Sequence, residues 1–124
     1  MLTNYRFVAE PLGRPDVRDL VEEFKFDIFK KQLYIKLSEN EALDGYRWIV
    51  SVKDLYDQAN LYPNLKGKDQ IVLHLYNEDK EFATLRFGRL LVEHHECNAS
   101  YELNSQKAML HSLVVSFERF EIDG

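Results

Sequence analysis

Hydrophobic and polar positions alternate with a period of two along most of the chain. Phe24, Phe26 and Ile28 set against Lys25 and Asp27 predict a half-buried strand, although Glu22 interrupts the pattern just before it. Leu33, Ile35 and Leu37 then alternate with Gln32, Tyr34 and Lys36. The two runs meet around Phe29 to Lys31, which predicts a β-hairpin whose turn lacks glycine. Further on, Ile71, Leu73 and Leu75 alternate with Val72, His74 and Tyr76, and the polar turn Asn77 to Lys80 follows. Leu85 and Phe87 then alternate with Thr84 and Arg86, and Gly88 reads as a bulge or a close backbone approach. Leu90 and Val92 lead into a polar stretch, Glu93 to Ser100. The last strand carries Leu113, Val115 and Phe117, then Phe120 and Ile122. Its apolar phase flips, and a β-bulge at Glu118-Arg119 would account for that.

The middle of the chain changes period. Trp48, Val52, Leu55, Tyr56 and Ala59 fall on one helical face, which predicts a helix packed on a sheet. Ser51 followed by Asp54 resembles a capping pair, so the helix is expected to begin there, with 46–50 as a separate turn. Gly45 argues against one helix from Asn40, and Pro63 and Gly67 end the segment. Near the N-terminus a short strand from Tyr5 runs into Pro11, Gly13 and Pro15, which predict an irregular loop. The sum is six or seven strands with one flanking α-helix, a mainly β fold built as a β-sandwich or barrel.

Composition narrows the function. A length of 124 residues suits one domain, 1–124, with 45% hydrophobic and 30% charged residues in the balance of a globular protein. Fifteen of the sixteen aromatics are Phe or Tyr, which favours pleated surfaces. No apolar run approaches a membrane span, and the start lacks a signal-peptide core, so a membrane partner is not expected. A net charge of −5 with dispersed basic residues argues against tight nucleic-acid binding. The single Cys97 excludes an internal disulfide and suits a reducing compartment.

Three passages bear a family likeness. Leu33 to Asn40 (LYIKLSEN) looks like a strand before a helix with an acidic exit. Asp69 to Leu91 (DQIVLHLYNEDKEFATLRFGRLL) looks like an apolar strand, a polar turn and an amphipathic strand leading to Gly. Tyr101 to Ile122 (YELNSQKAMLHSLVVSFERFEI) looks like an acidic, Asn-containing segment before a terminal strand. In this order they resemble the tail-tube family of contractile phages and the tube protein of type VI secretion. The resemblance implies a structural virion protein: a homo-oligomer, a hexameric ring in which subunit sheets join edge to edge into a barrel that conducts DNA. It implies tail, sheath or baseplate proteins as partners, and a place in the virion tail after assembly in the host cytoplasm. Under it Lys25, Asp27, Lys36 and Arg86 line one lumen or interface face, an ordinary solvated sheet face being the alternative. The N-terminal third departs from the family pattern. Either Asn4 to Glu10 is the first strand with a shortened stacking arm, or Leu12 to Phe29 supplies the arm. A tube protomer and a terminator, initiator or baseplate component therefore both stand.

Catalytic chemistry finds few footholds. His94-His95-Glu96-Cys97 is the one cluster that suggests a metal, yet neighbours in a strand point to opposite faces, and a second pair would have to come from His74 or His111. Cys97 as a nucleophile would sit beside Glu93 and Glu96, which oppose thiolate formation. No GxSxG, HExxH, GxGxxG or GxxxxGK[ST] occurs. No catalytic residue, metal or cofactor is expected, and the alternative to tube assembly is a small β-sandwich that binds a partner protein, such as a phage-encoded regulator.

Overall fold

A computed structural model describes residues 5–58, 69–98 and 109–123. They form β1 (Tyr5–Pro11), α1 (Pro15–Arg18), β2 (Val21–Asp27), β3 (Gln32–Ser38), α2 (Asp44–Gln58), β4 (Ile71–Asn77), β5 (Lys80–Gly88), β6 (Leu91–Cys97), β7 (Leu110–Ser116) and β8 (Arg119–Asp123). Two four-stranded antiparallel sheets result, one in the order β1-β4-β5-β8 and the other β2-β3-β7-β6. The sheets face each other as a sandwich and not as a closed barrel. The mainly β expectation holds, with eight strands among the described residues in place of six or seven.

The alternating residues fill the space between the sheets, as a half-buried strand requires. Leu33, Ile35 and Leu37 of β3 and Leu113 and Val115 of β7 meet Ala9, Ile71, Leu73, Leu85 and Phe87 from the other sheet. The β2–β3 and β4–β5 hairpin turns are made without glycine. Lys31 bends the β2–β3 hairpin at φ 55°, and the Lys30 amide donates to Asp27 Oδ1 at 3.1 Å. Glu78, at φ 57°, turns the two-residue β4–β5 loop.

Three sequence expectations about strands and loops change. The phase flip after Phe117 is no bulge, because β7 and β8 belong to different sheets. At the crossing the Phe117 amide donates to Lys31 O at 3.0 Å and the Glu118 amide to Gly88 O at 3.1 Å. Each crossing residue is therefore tied to one of the two hairpin ends it passes between. The polar stretch from Glu93 is a strand end as its alternation predicts, and Leu91–Cys97 pairs with β7. The loop at Pro15 contains the single helical turn α1, which Pro15 enters at its first turn without losing a hydrogen bond. A side chain at Gly88 would meet nothing closer than 3.5 Å, so no close approach requires that glycine.

Helix α2 starts at Asp44 and contains Gly45, seven residues ahead of the expected Ser51. Ser51 Oγ donates instead to the Trp48 carbonyl at 2.6 Å, a mid-helix bond back to the preceding turn. Trp48, Val52 and the unforeseen Ile49 are buried, while Leu55 and Tyr56 are half-buried. Ala59, Pro63 and Gly67 lie outside the described residues. Among the described residues no helix is long and apolar enough to cross a membrane.

Candidate assembly surface

Among the described residues, each sheet ends in strands with a neighbour on one side only: β1 and β8 in the first, β2 and β6 in the second. Such edges present rows of backbone donors and acceptors that another chain can extend. Three of the four also carry large exposed apolar side chains. These are Tyr5 and Phe7 on β1, Phe26 on β2, and Ile122 on β8, which is 65% exposed. At the β2–β3 tip Ile28 is exposed and Phe29 is 99% exposed. Pro11 closes the inner register of β1 against Ile71 at an edge, where a strand tolerates proline. Edge β6 differs, because Glu93, His94 and Glu96 are exposed along it.

The four expected lumen residues divide between the two outer faces. Lys25, Asp27 and Lys36 lie outside the β2-β3-β7-β6 sheet, opposite in phase to Phe24, Phe26 and Leu37. Glu23 sits between the lysines, 2.8 Å from Lys25 Nζ and 3.4 Å from Lys36 Nζ. Those hydrogen bonds, Lys25 first, hold its carboxyl below the ordinary range. Beside them a depression of about 280 Å³ is lined by Tyr34, Lys36, His94 and Val114, among others. Arg86 is on the other sheet, where it pairs in register with Val72 and Glu121 and donates to Asp123 Oδ2 at 3.2 Å. The structure brings together three of the four.

The His94 to Cys97 segment also resolves by strand alternation. His94 is on the outer face, 3.0 Å from Glu96 Oε1. His95 turns inward and its Nε2 lies 2.9 Å from Nδ1 of His111 on β7. His111 Nε2 lies 2.7 Å from Glu39 Oε2, and both side chains are almost wholly buried. Glu39 closes the β3–α2 connection, and its carboxylate also accepts from the amides of Asn40, Gly45 and Tyr46, each at 2.9 Å. Burial raises its affinity for a proton, but the Asn40 amide, His111 and the Gly45 and Tyr46 amides together hold the carboxyl below its ordinary value. The Tyr46 ring stands edge-on to His111, 4.4 Å between centroids, and to His95 at 5.9 Å. Among the described residues no group of three or more His, Cys, Asp or Glu is arranged to hold a metal ion. His111, considered from sequence only as a distant second ligand, does meet His95, through a hydrogen bond.

No family model matches the chain. No curated protein matches it either. Among solved structures, Hcp2 from Salmonella typhimurium superposes over 90% of this chain and 80% of its own, at 13% identity and a TM-score of 0.50. The fold resembles that of a tube protein. Hcp1 from Flavobacterium johnsoniae aligns over 99% of this chain and 85% of its own, at 11% identity and TM-score 0.48. The sheath/tube terminator of an extracellular contractile injection system aligns over 75% of this chain at 11% identity and TM-score 0.44. The chain spans 61% of the length of that terminator. The tube-family resemblance drawn from sequence thus holds at the level of the fold.

Proposed function

We propose that this protein is a structural component of a contractile tail or injection tube, a single tube-like domain that assembles with copies of itself. The observation that carries the reading is the pair of open sheets, whose edges β1, β2 and β8 bear exposed Tyr5, Phe7, Phe26 and Ile122. Edge pairing removes unpaired backbone groups and buries those side chains in one step. A closed ring, six subunits in the arrangement that the tube resemblance suggests, leaves no free edge and encloses a conduit for DNA. Lys25, Asp27 and Lys36 then belong to a wall or interface formed by the outer face of the β2-β3-β7-β6 sheet. Arg86 belongs to the opposite outer face. Tail, sheath or baseplate proteins are the partners of such a ring, and the virion tail is its place.

Electron microscopy of the purified protein, with sedimentation over a range of concentration and salt, tests this directly. Rings or short tubes are expected, and Phe29→Asp together with Ile122→Lys is expected to dissolve them without unfolding the protomer. A monomer of 14.7 kDa at every concentration would refute self-assembly and favour the partner-binding β-sandwich.

A further inference from the structure

The proton inventory of the buried chain Glu39, His111 and His95 has a mechanical consequence. Glu39 is a carboxylate with four donors around it, so His111 must donate to it from Nε2. Nδ1 of His111 is then the acceptor, and His95 donates to it from Nε2. One extra proton is accommodated at His95 Nδ1, or by shifting the shared proton across the pair, with every bond kept. A second extra proton puts an N–H on both nitrogens across a 2.9 Å gap, and the rings must part.

We propose that this chain is a proton-operated latch that fastens the first turn of α2 to strands β6 and β7. Closed, it joins the Gly45 and Tyr46 amides through Glu39 and His111 to His95 on β6. Open, it releases His95 and the inner side of β6, an edge strand of its sheet among the described residues, while Glu39 keeps its bonds to the Gly45 and Tyr46 amides. The groups facing His95 all oppose its protonation. Burial contributes most, followed by His111 from β7, Lys53 from α2 and His94 from β6 itself, and its proton affinity falls below the ordinary value of 6.5. Cys97 stands opposite His111 in register and adds no positive charge. Glu39 remains ionised across the range in which the histidines titrate, because its own carboxyl is held low. The latch is therefore closed above the ordinary histidine value, stays closed with the first extra proton, and opens only when acid supplies the second. It stands on these contacts alone and does not depend on the tube reading.

Amide hydrogen exchange on the full chain, corrected for the intrinsic pH dependence, tests the latch. Between about pH 7.5 and about pH 5, the amides of β6 that pair with β7 are expected to lose about tenfold or more protection, while Gly45 and Tyr46, still held by Glu39, and the amides of β3 and β5 keep theirs. His95→Gln retains a donor toward His111 and cannot take up a proton, so its β6 protection should change by less than about twofold over that range. Loss shared equally by the whole protein, or the same selective loss in His95→Gln, would overturn the proposal. Should that variant fail to fold, the unaltered protein still decides the matter by nuclear magnetic resonance. The β6 amides must follow the more acid step of the coupled histidine pair, read at the ring carbons of His95, and loss of their protection with the first step would overturn it.

Discussion

The interior of the sandwich is held in two different ways. Around Phe87, which is wholly buried, Phe24, Phe26, Phe117 and Phe120 stand at centroid distances of 5.8, 5.5, 5.0 and 5.3 Å. Beneath α2 the same two-layer architecture is closed by Glu39, His111, His95 and Tyr46. The aromatic region gains free energy from area removed from water and from dense packing, with no fixed partner for any atom. In the polar region each contact is directional, and losing one member strands Glu39 or His111, whose side chains are almost wholly out of water. The first should therefore tolerate changes of shape and fail in proportion to volume. The second should fail by identity, even where volume is kept.

Phe87→Ala has the largest expected effect. It removes the ring that touches four others and leaves a cavity, at a cost of about 3–5 kcal/mol. Phe87→Leu should recover most of that, since it refills part of the volume. Denaturant unfolding of the two variants measures both, and equal losses would mean that the aromatic region is as particular about identity as the polar one.

The aromatic half was legible in the sequence, and the polar half was not. Alternation at Phe24-Phe26, Leu33-Ile35-Leu37, Leu85-Phe87 and Leu113-Val115 is a local signal, set by the two-residue repeat of a strand. It placed the core strands and even marked the sheet crossing, as a change of phase after Phe117. The chain Glu39–His111–His95 joins residues 72 and 16 positions apart, so no period registers it. One signal does exist, although within the sequence it reads as a helix breaker. A Cβ at Gly45 would lie 2.9 Å from Glu39 Oε2, so the glycine is there to let the carboxylate reach the helix amides. Likewise Lys25, Asp27, Lys36 and Arg86 were grouped by charge and alternation, but which sheet a strand joins is a matter of topology.

Glu39→Ala comes next in size. It withdraws the acceptor from the Asn40, Gly45 and Tyr46 amides and from His111, and a buried donor left unsatisfied in this way costs about 1–3 kcal/mol. Glu39→Gln keeps the volume and one acceptor oxygen but loses the charge, and it should still be clearly destabilised. The parent protein carries the same dependence on pH. The folded carboxyl of Glu39 is depressed below 4.5, so its contribution is complete above that value and is lost as pH falls through it toward the folded value. Thermal unfolding at stepped pH should show this acid limb in the parent and a flatter one in Glu39→Gln. A Gln variant as stable as the parent, with the same limb, would mean that volume alone matters here too.

Gly45→Ala sharpens the contrast at smaller scale. In an exposed helix the change would stabilise by about 1 kcal/mol, because glycine is a poor helix former. Here the added methyl meets the buried Glu39 carboxylate, which four donors hold in place, and overpacking of this sort costs about 1–3 kcal/mol. The expected outcome is a lower melting temperature. A rise would show that the carboxylate can shift without penalty and that the polar region is looser than its hydrogen bonds suggest.

The smallest expected effect is that of a chelator. A structural zinc contributes its binding free energy to folding, so its removal lowers the melting temperature at once. The residues that suggested such a site are engaged otherwise: His95 Nε2 with His111, His111 Nε2 with Glu39, and His94 Nε2 with Glu96. Recruiting a metal to His95 and His111 would require breaking their mutual bond and releasing the Glu39 carboxylate from α2. That loss offsets much of what a two-histidine site would gain. Thermal unfolding with and without excess chelator should therefore coincide, both at neutral pH and where the histidines are protonated. Stoichiometric zinc in the purified protein, leaving together with the fold, would place a metal where the polar chain now stands and remove the distinction between the two halves of the core.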